Sequence, residues 1–225
     1  MLKQNIRSAY PRLAADSTQA KCGTSRQRMR PLRRSELPPD TILLARYLVG
    51  KTLVHDLQEG RLSGRIVETE AYPVGDAAAH SFRGETKRNR SLFLVRGHAY
   101  VYFAYGSCWM MNVSSEGDGV GAGVLIRALE PLEGIETMER NRGVSRPYDL
   151  TRGPGRLAQS MQIDKSQDGL DLCSRESPLW LGTPVKPVGR IGITTRIGLS
   201  REAHREWRFY ERGNPFVSGP KRLLI

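Results

Sequence analysis

Apolar and polar positions along the chain repeat with two periods, and the changes of period mark out the elements. From Leu37, the run LPPDTILLARYLVGK places Ile42, Leu43, Ala45 and Leu48 on a helical stripe, with Asp40 as N-cap and Gly50 as stop. Thr52–His55 then reads as a strand and Glu59–Gly60 as a turn. Leu62–Tyr72 alternates as a half-buried strand with Ile66 and Val67 out of phase, and period two sets Glu68, Glu70 and Tyr72 on one face. Pro73 and Gly75 end that strand. Ala77–His80 predicts a short helical turn, and Phe82–Asn89 an exposed basic loop. Ala99–Ala104 is a second strand with Tyr100 and Tyr102 on a common face. Tyr105-Gly106-Ser107 makes a turn and Trp109–Ser114 returns, giving a hairpin with a large aromatic at its tip.

After the glycine-rich EGDGVGAG, Val124–Leu129 predicts a buried strand interrupted by Arg127. Pro131–Arg142 predicts a helix closed by Gly143. Arg152–Ile163 predicts another, whose Arg152 and Arg156 suit a phosphate as well as they suit a plain helix start. Leu172–Gly192 reads as short strands broken by Pro178, Pro184 and Pro187, and Arg208–Tyr210 with Phe216–Val217 as the last strand pair. The expected class is mixed α/β, in one domain over 36–225 behind a tail at 1–35, without internal repeats.

Charge changes the picture less than its total implies. The net charge is +12, but up to Arg34 there are nine Lys/Arg against one Asp, so +8 belongs to the tail and about +4 to the rest. The tail lacks apolar periodicity and is expected to be disordered. Its Arg-rich, acid-poor composition resembles an organellar transit peptide as well as a solvated or DNA-touching arm. Local clusters, rather than global charge, must carry the argument for a polyanionic partner. No apolar run approaches the ~20 residues of a membrane span. Cys22, Cys108 and Cys173 are odd in number and lack metal-site spacing, so neither a disulfide framework nor a zinc site is expected.

The stretch Arg65–Asn112 concentrates the chemistry. Its strand carboxylates fit a general acid/base site, a metal site or a salt-bridge row; metal is the weakest of these, because only His80 lies near the acids. Tyr72, Tyr100, Tyr102 and Tyr105, half of the chain's eight tyrosines, fall within 34 residues. A core would favour Phe or Leu, since each buried hydroxyl needs a partner, so tyrosines around an acid point to a slot for a flat ligand. Tyr105 at a hairpin tip also suits a wedge between base pairs.

The segments RIVETEAY, AAHS, TKRNR, YVYFAYG, MNVSSEGDG, VLIRALEPLEG and GPGRLAQ, continued by RIGI and RFYERGNPFVS, closely resemble the alkyladenine (3-methyladenine) DNA glycosylases, in order from Leu37 to Ser218. The resemblance implies a curved, mainly antiparallel sheet with surrounding helices and a protruding, DNA-inserting β-hairpin. It implies a monofunctional base-excision enzyme that flips a damaged purine from duplex DNA and hydrolyses its N-glycosidic bond. On this chain Glu70 resembles the general base and Glu68 a structural acid, while Arg127 is similar to the arginine that helps Glu70 hold water, with the Ile193 carbonyl as a third water ligand. Tyr72, His80 and Tyr102 would enclose the base, Tyr105 fill the gap in the stack, and Asn112 screen against guanine. The Tyr72–His80 interval is shorter, and the loop Gly117–Gly123 longer, than in mammalian members. A monomer without cofactor or metal, acting on double-stranded DNA and not on a membrane, is expected. It would work in the cytoplasm or nucleoid of a bacterium, or in a eukaryotic nucleus or organelle. The alternatives are a non-catalytic nucleic-acid-binding module and, less well supported, a hydrolase of small nucleosides.

Overall fold

The computed structural model describes residues 29–220. Most of the expected tail therefore lies outside the described residues. Within them, Pro31 bridges to Gly182, and Leu32 is buried with its amide bonded to the Leu181 carbonyl at 2.8 Å.

The first helix, α1 (Thr41–Leu48), starts where Asp40 accepts a hydrogen bond from the Leu43 amide at 2.7 Å. Its buried face is Thr41, Leu44, Ala45 and Leu48; of the expected stripe, Ala45 and Leu48 are buried and Ile42 packs on the core, but Leu43 points to solvent. The spacing 41, 44, 45, 48 is the helical period; which of two overlapping apolar stripes faces the sheet depends on the sheet. The strands β1 (Thr52–Leu57) and β2 (Gly60–Tyr72) follow as a hairpin, then β3 (Ala99–Ala104), β4 (Cys108–Ser114) and β5 (Gly123–Glu133). Three short helices come next: α2 (Ile135–Arg142), α3 (Pro147–Leu150) and α4 (Pro154–Ser160). The described chain ends with β6 (Leu179–Gly182), β7 (Ile191–Thr194) and β8 (Arg208–Glu211).

All the strand pairs are antiparallel, and they form one curled sheet in the order β3-β4-β5-β2-β1-β6. β8 joins β2 along Glu68–Glu70, beyond the end of β1, and carries β7 outside it. The mixed α/β, single-domain architecture is thus as the sequence implied. No helix among the described residues is long and apolar enough to cross a membrane.

Several local expectations are corrected. β2 is buried without interruption from Leu62 to Ala71, rather than alternately, because both of its faces are covered. Leu62, Ile66 and Ala71 join the main core with α1, whereas Val67 joins a smaller cluster with Phe216 and Val217. Those last two residues form no strand; β8 pairs with β2 and β7 instead. Residues 77–80 make turns, not a helical turn. The helix expected from Pro131 begins at Ile135, because β5 runs on to Glu133 and Gly134 breaks the chain at φ 74. A Cβ at Gly134 would lie 2.4 Å from Leu62 Cδ2 and 2.6 Å from the Arg61 carbonyl, so only glycine fits this corner. The helix expected over Arg152–Ile163 is confined to α4, and the short strands expected over Leu172–Gly192 are β6 and the start of β7.

Candidate active site

The ladder between β2 and β5 slips twice at the centre of the sheet. Ile66 faces Leu129, Glu68 faces Ala128 and Thr69 faces Ile126, which leaves Val67 and then Arg127 without a partner. Bulges of this kind re-aim side chains. Here the slip turns Arg127 onto two carboxylates at once: its Nε donates to Glu68 Oε1 at 3.0 Å, and its Nη1 lies 3.2 Å from Glu70 Oε2. Just beyond the slips, a single row crosses five strands through Tyr100, Asn112, Leu125, Glu70 and Arg208. Directly opposed residues share a face, so the row brings Asn112 and Glu70 to the same side.

Glu68 and Glu70 are both fully buried, but they are used differently. Glu68 accepts from Arg127 Nε (3.0 Å), Arg208 Nε (2.6 Å), Ser218 Oγ (2.9 Å) and the Ser218 amide (2.7 Å). Three of these donors converge on Oε1, and the Ser218 amide takes Oε2. Glu70 accepts from the Ile197 amide on one oxygen (2.8 Å), and on the other from the Tyr72 hydroxyl (2.9 Å) beside Arg127 Nη1. Glu70 thus has three donors where Glu68 has four, and one of the three is a tyrosine hydroxyl. Burial opposes the charge on Arg127, but Glu70 and Glu68 outweigh it and raise its pKa, so the bridging cation is secure.

The Tyr72 hydroxyl joins Glu70 to a cavity of about 220 Å³. Tyr72, His80, Arg88, Tyr102, Tyr105, Met110, Asn112 and Leu199 are among the residues that line it. This is less than the roughly 300–1,000 Å³ of sites for drug-sized ligands, and is suited to one flat ring. Tyr100 and Tyr102 are stacked at 5.0 Å with 19° between planes, and His80 stands edge-on to Tyr102 at 4.5 Å. The His80 Nδ1 is 3.0 Å from the Tyr100 hydroxyl. Burial of its inner edge and the nearby Arg88 lower the His80 pKa, which keeps the ring neutral near pH 7. Burial pushes the Tyr100 hydroxyl up to about 12, and raises Tyr72 and Tyr102 further, so all three remain protonated donors. Asn112 is buried at the pocket with its Oδ1 unpartnered, a polar atom left for a ligand to satisfy.

At the hairpin tip Tyr105 (φ 53) and Gly106 (φ 65) are both left-handed, as a type I′ turn requires. Holding a tyrosine there costs roughly 1–2 kcal/mol. Its side chain is nevertheless 83% exposed, a strained backbone that displays an aromatic to solvent. On the other side of the hairpin, Arg142, Arg152 and Arg156 line a second cavity with Cys108 and Trp109.

The structure thus gathers Glu70, Arg127, Tyr72, His80, Tyr102, Tyr105 and Asn112 around one pocket. Ile193 sits apart: it pairs with Phe209, which pairs with Thr69, and its side chain is 44% exposed. The backbone group from this part of the chain that touches Glu70 is the Ile197 amide. Sequence reasoning missed Arg196 and Ile197, because residues 194–207 carry no periodicity to read, and Asp76, whose partner is 120 residues away.

A family model described as methylpurine-DNA glycosylase matches residues 35–215. The chain belongs to that family. It is an enzyme of the DNA glycosylase type, a hydrolase of N-glycosyl bonds. Relatives named "Putative 3-methyladenine DNA glycosylase" include one from Mesorhizobium japonicum, 66% identical over 86% of this chain and 92% of its own length. Another, from Paraburkholderia phytofirmans, is 54% identical over 87% of this chain and 91% of its own. A third, from Rubrobacter xylanophilus, is 48% identical over 78% and 91%.

Proposed function

We propose that the protein extrudes damaged purines from duplex DNA and hydrolyses their N-glycosidic bond with a water activated by Glu70, leaving an abasic site. The observation that carries this reading is the unequal connection of two buried carboxylates: the donors to Glu68 come from Arg127, Arg208 and Ser218, whereas Glu70 accepts from the hydroxyl of Tyr72, which lines the aromatic pocket. Extruding a base costs a few kcal/mol, least for a damaged pair. Stacking returns roughly 1–3 kcal/mol per base, which Tyr72 and Tyr102 supply, with His80 at the edge. Tyr105 fills the gap left in the duplex. Asn112 disfavours normal guanine, for whose 2-amino group it leaves no room.

Glycosidic cleavage develops positive charge on the sugar. The Glu70 carboxylate stabilises that charge as well as accepting the water proton, and Arg127 keeps Glu70 oriented. The Ile193 carbonyl is retained as a candidate water ligand. Alkylated purines leave readily because they are already cationic. No lysine nucleophile enters the scheme, so the product is an intact strand with an abasic position. The enzyme acts as a monomer, needs no cofactor or metal, and holds flanking phosphates with the arginines of the second cavity.

The test is base release from duplexes carrying 3-methyladenine, hypoxanthine, ethenoadenine or 7-methylguanine, read as free base and an alkali-labile strand. Release from at least one is expected. Salt-dependent binding with no product from any of them would overturn the reading in favour of a non-catalytic DNA-binding module.

A further inference from the structure

A second buried ion pair lies next to the pocket, with no exposed side-chain surface on either partner: Asp76 and Arg196. Arg196 Nη2 donates to Asp76 Oδ1 at 3.1 Å, and Nη1 donates both to the other carboxylate oxygen and to the Ala71 carbonyl, the latter at 3.0 Å. The guanidinium lies over two rings, 4.6 Å from the centroid of Tyr72 and 5.0 Å from that of Trp207. It does not line the pocket, whereas Tyr72 does. Asp76 reaches the other way. Its Oδ1 also accepts from the Ala78 amide at 3.0 Å, and its carbonyl accepts from the Ala79 amide at 2.9 Å, which fixes the turn leading to His80. The residue after Arg196 is Ile197, whose amide holds Glu70.

One ion pair therefore touches the supports of three groups: the Tyr72 ring, the His80 turn and the Glu70 carboxylate. As a source of stability it is poorly built. Desolvation of a buried pair offsets much of its attraction, and the Arg196 Nε is buried without a partner. As a positioning device it is well built, because a planar guanidinium can lie flat on a ring and donate in its own plane at once, which a lysine cannot do.

We infer that Asp76 and Arg196 are positioning residues for the reaction: the pair sets the plane of Tyr72 against the extruded base and keeps the Ile197 amide on Glu70. This rests on Tyr72 stacking the base and Glu70 acting as its water-activating group.

The test uses the full chain and a duplex with one ethenoadenine, whose fluorescence reports stacking, under single-turnover conditions. The double variant Asp76→Asn/Arg196→Gln removes both charges and keeps hydrogen-bonding groups. Excision at saturating enzyme is expected to fall about 10²-fold, as for misplacement of reacting groups by roughly 1 Å. The fluorescence change should shrink with it, while affinity for undamaged duplex stays within about twofold. Arg196→Lys, which keeps the charge but not the flat contact, is expected to show the same loss without rescue. Wild-type excision and fluorescence in the folded double variant would overturn the inference. An equal loss of undamaged-duplex affinity would do so too, since that marks a merely structural pair. If the double variant does not fold, Arg196→Lys decides, and a wild-type rate there is fatal. Absence of release by the unmodified protein from all four lesion duplexes brings down the proposed function along with the inference; normal release with indifferent variants brings down the inference alone.

Discussion

Glu68 and Glu70 stand two residues apart on one strand, equally buried and sharing one arginine, and they differ only in the donors around them. Glu68 is closed off by two guanidinium groups and both donors of Ser218. Glu70 is held by Arg127, one backbone amide and a hydroxyl that belongs to the pocket wall. Burial alone does not identify a catalytic acid. What separates the two is whether a partner connects the carboxylate to a cavity.

The comparison breaks first at Glu70→Gln. That variant is expected to lose about 10²–10⁴-fold in single-turnover excision, with lesion-duplex affinity retained and the melting temperature little changed. Rapid excision by it would transfer the role away from Glu70. The complementary change, Glu68→Gln, strips the carboxylate from two buried arginines and is expected to cost about 3–5 kcal/mol in denaturant unfolding. If it unfolds like the parent while losing activity, the roles assigned to the two acids are reversed.

Another buried acid extends the comparison. Glu211 on β8 is engaged by the fully buried Arg65, the Gly189 amide and Asn214. Burial would raise its pKa, but Arg65 and the other donors prevail and hold it at about 2. Its folded value lies below the ordinary one of about 4.3, so its contribution is complete above that pH and is lost as pH falls through about 2. At most about 3 kcal/mol is involved. Glu211→Gln should therefore flatten the acid limb of a stability-versus-pH curve below pH ~4, while leaving the excision rate at neutral pH unchanged. An unaltered acid limb would remove Glu211 from the structural class.

The smallest expected effect is at the link to the pocket. Tyr72→Phe keeps the stacking ring and removes one neutral donor to Glu70, worth about 1 kcal/mol, or roughly 3–10-fold in excision. A loss as large as that of Glu70→Gln would mean that the hydroxyl itself enters the chemistry.

Much of this site was legible from particular residues. The period-two face of β2 put Glu68, Glu70 and Tyr72 together, and the pairing of Tyr100 and Tyr102 on a common face held in the stacked rings. Arg127 stood out as a charge inside an apolar strand, and Tyr105 as an aromatic beside a turn glycine. The choice between the two acids was not legible, because their neighbours in sequence are alike and their donors come from residues 127, 197, 208 and 218. Nor was the uninterrupted burial of β2, which depends on what packs on each face. Asp76 and Arg196 gave no local signal, being 120 residues apart.

The chain's own pattern determined which elements form and which polar groups lie inside them, because helix and strand periods and turn residues act over a few neighbouring positions. Only the tertiary structure decided which carboxylate is joined to the pocket, where the bulges fall, and what stands behind Tyr72. Those features depend on donors brought together across a curled sheet, and local periodicity carries no information about distance between strands.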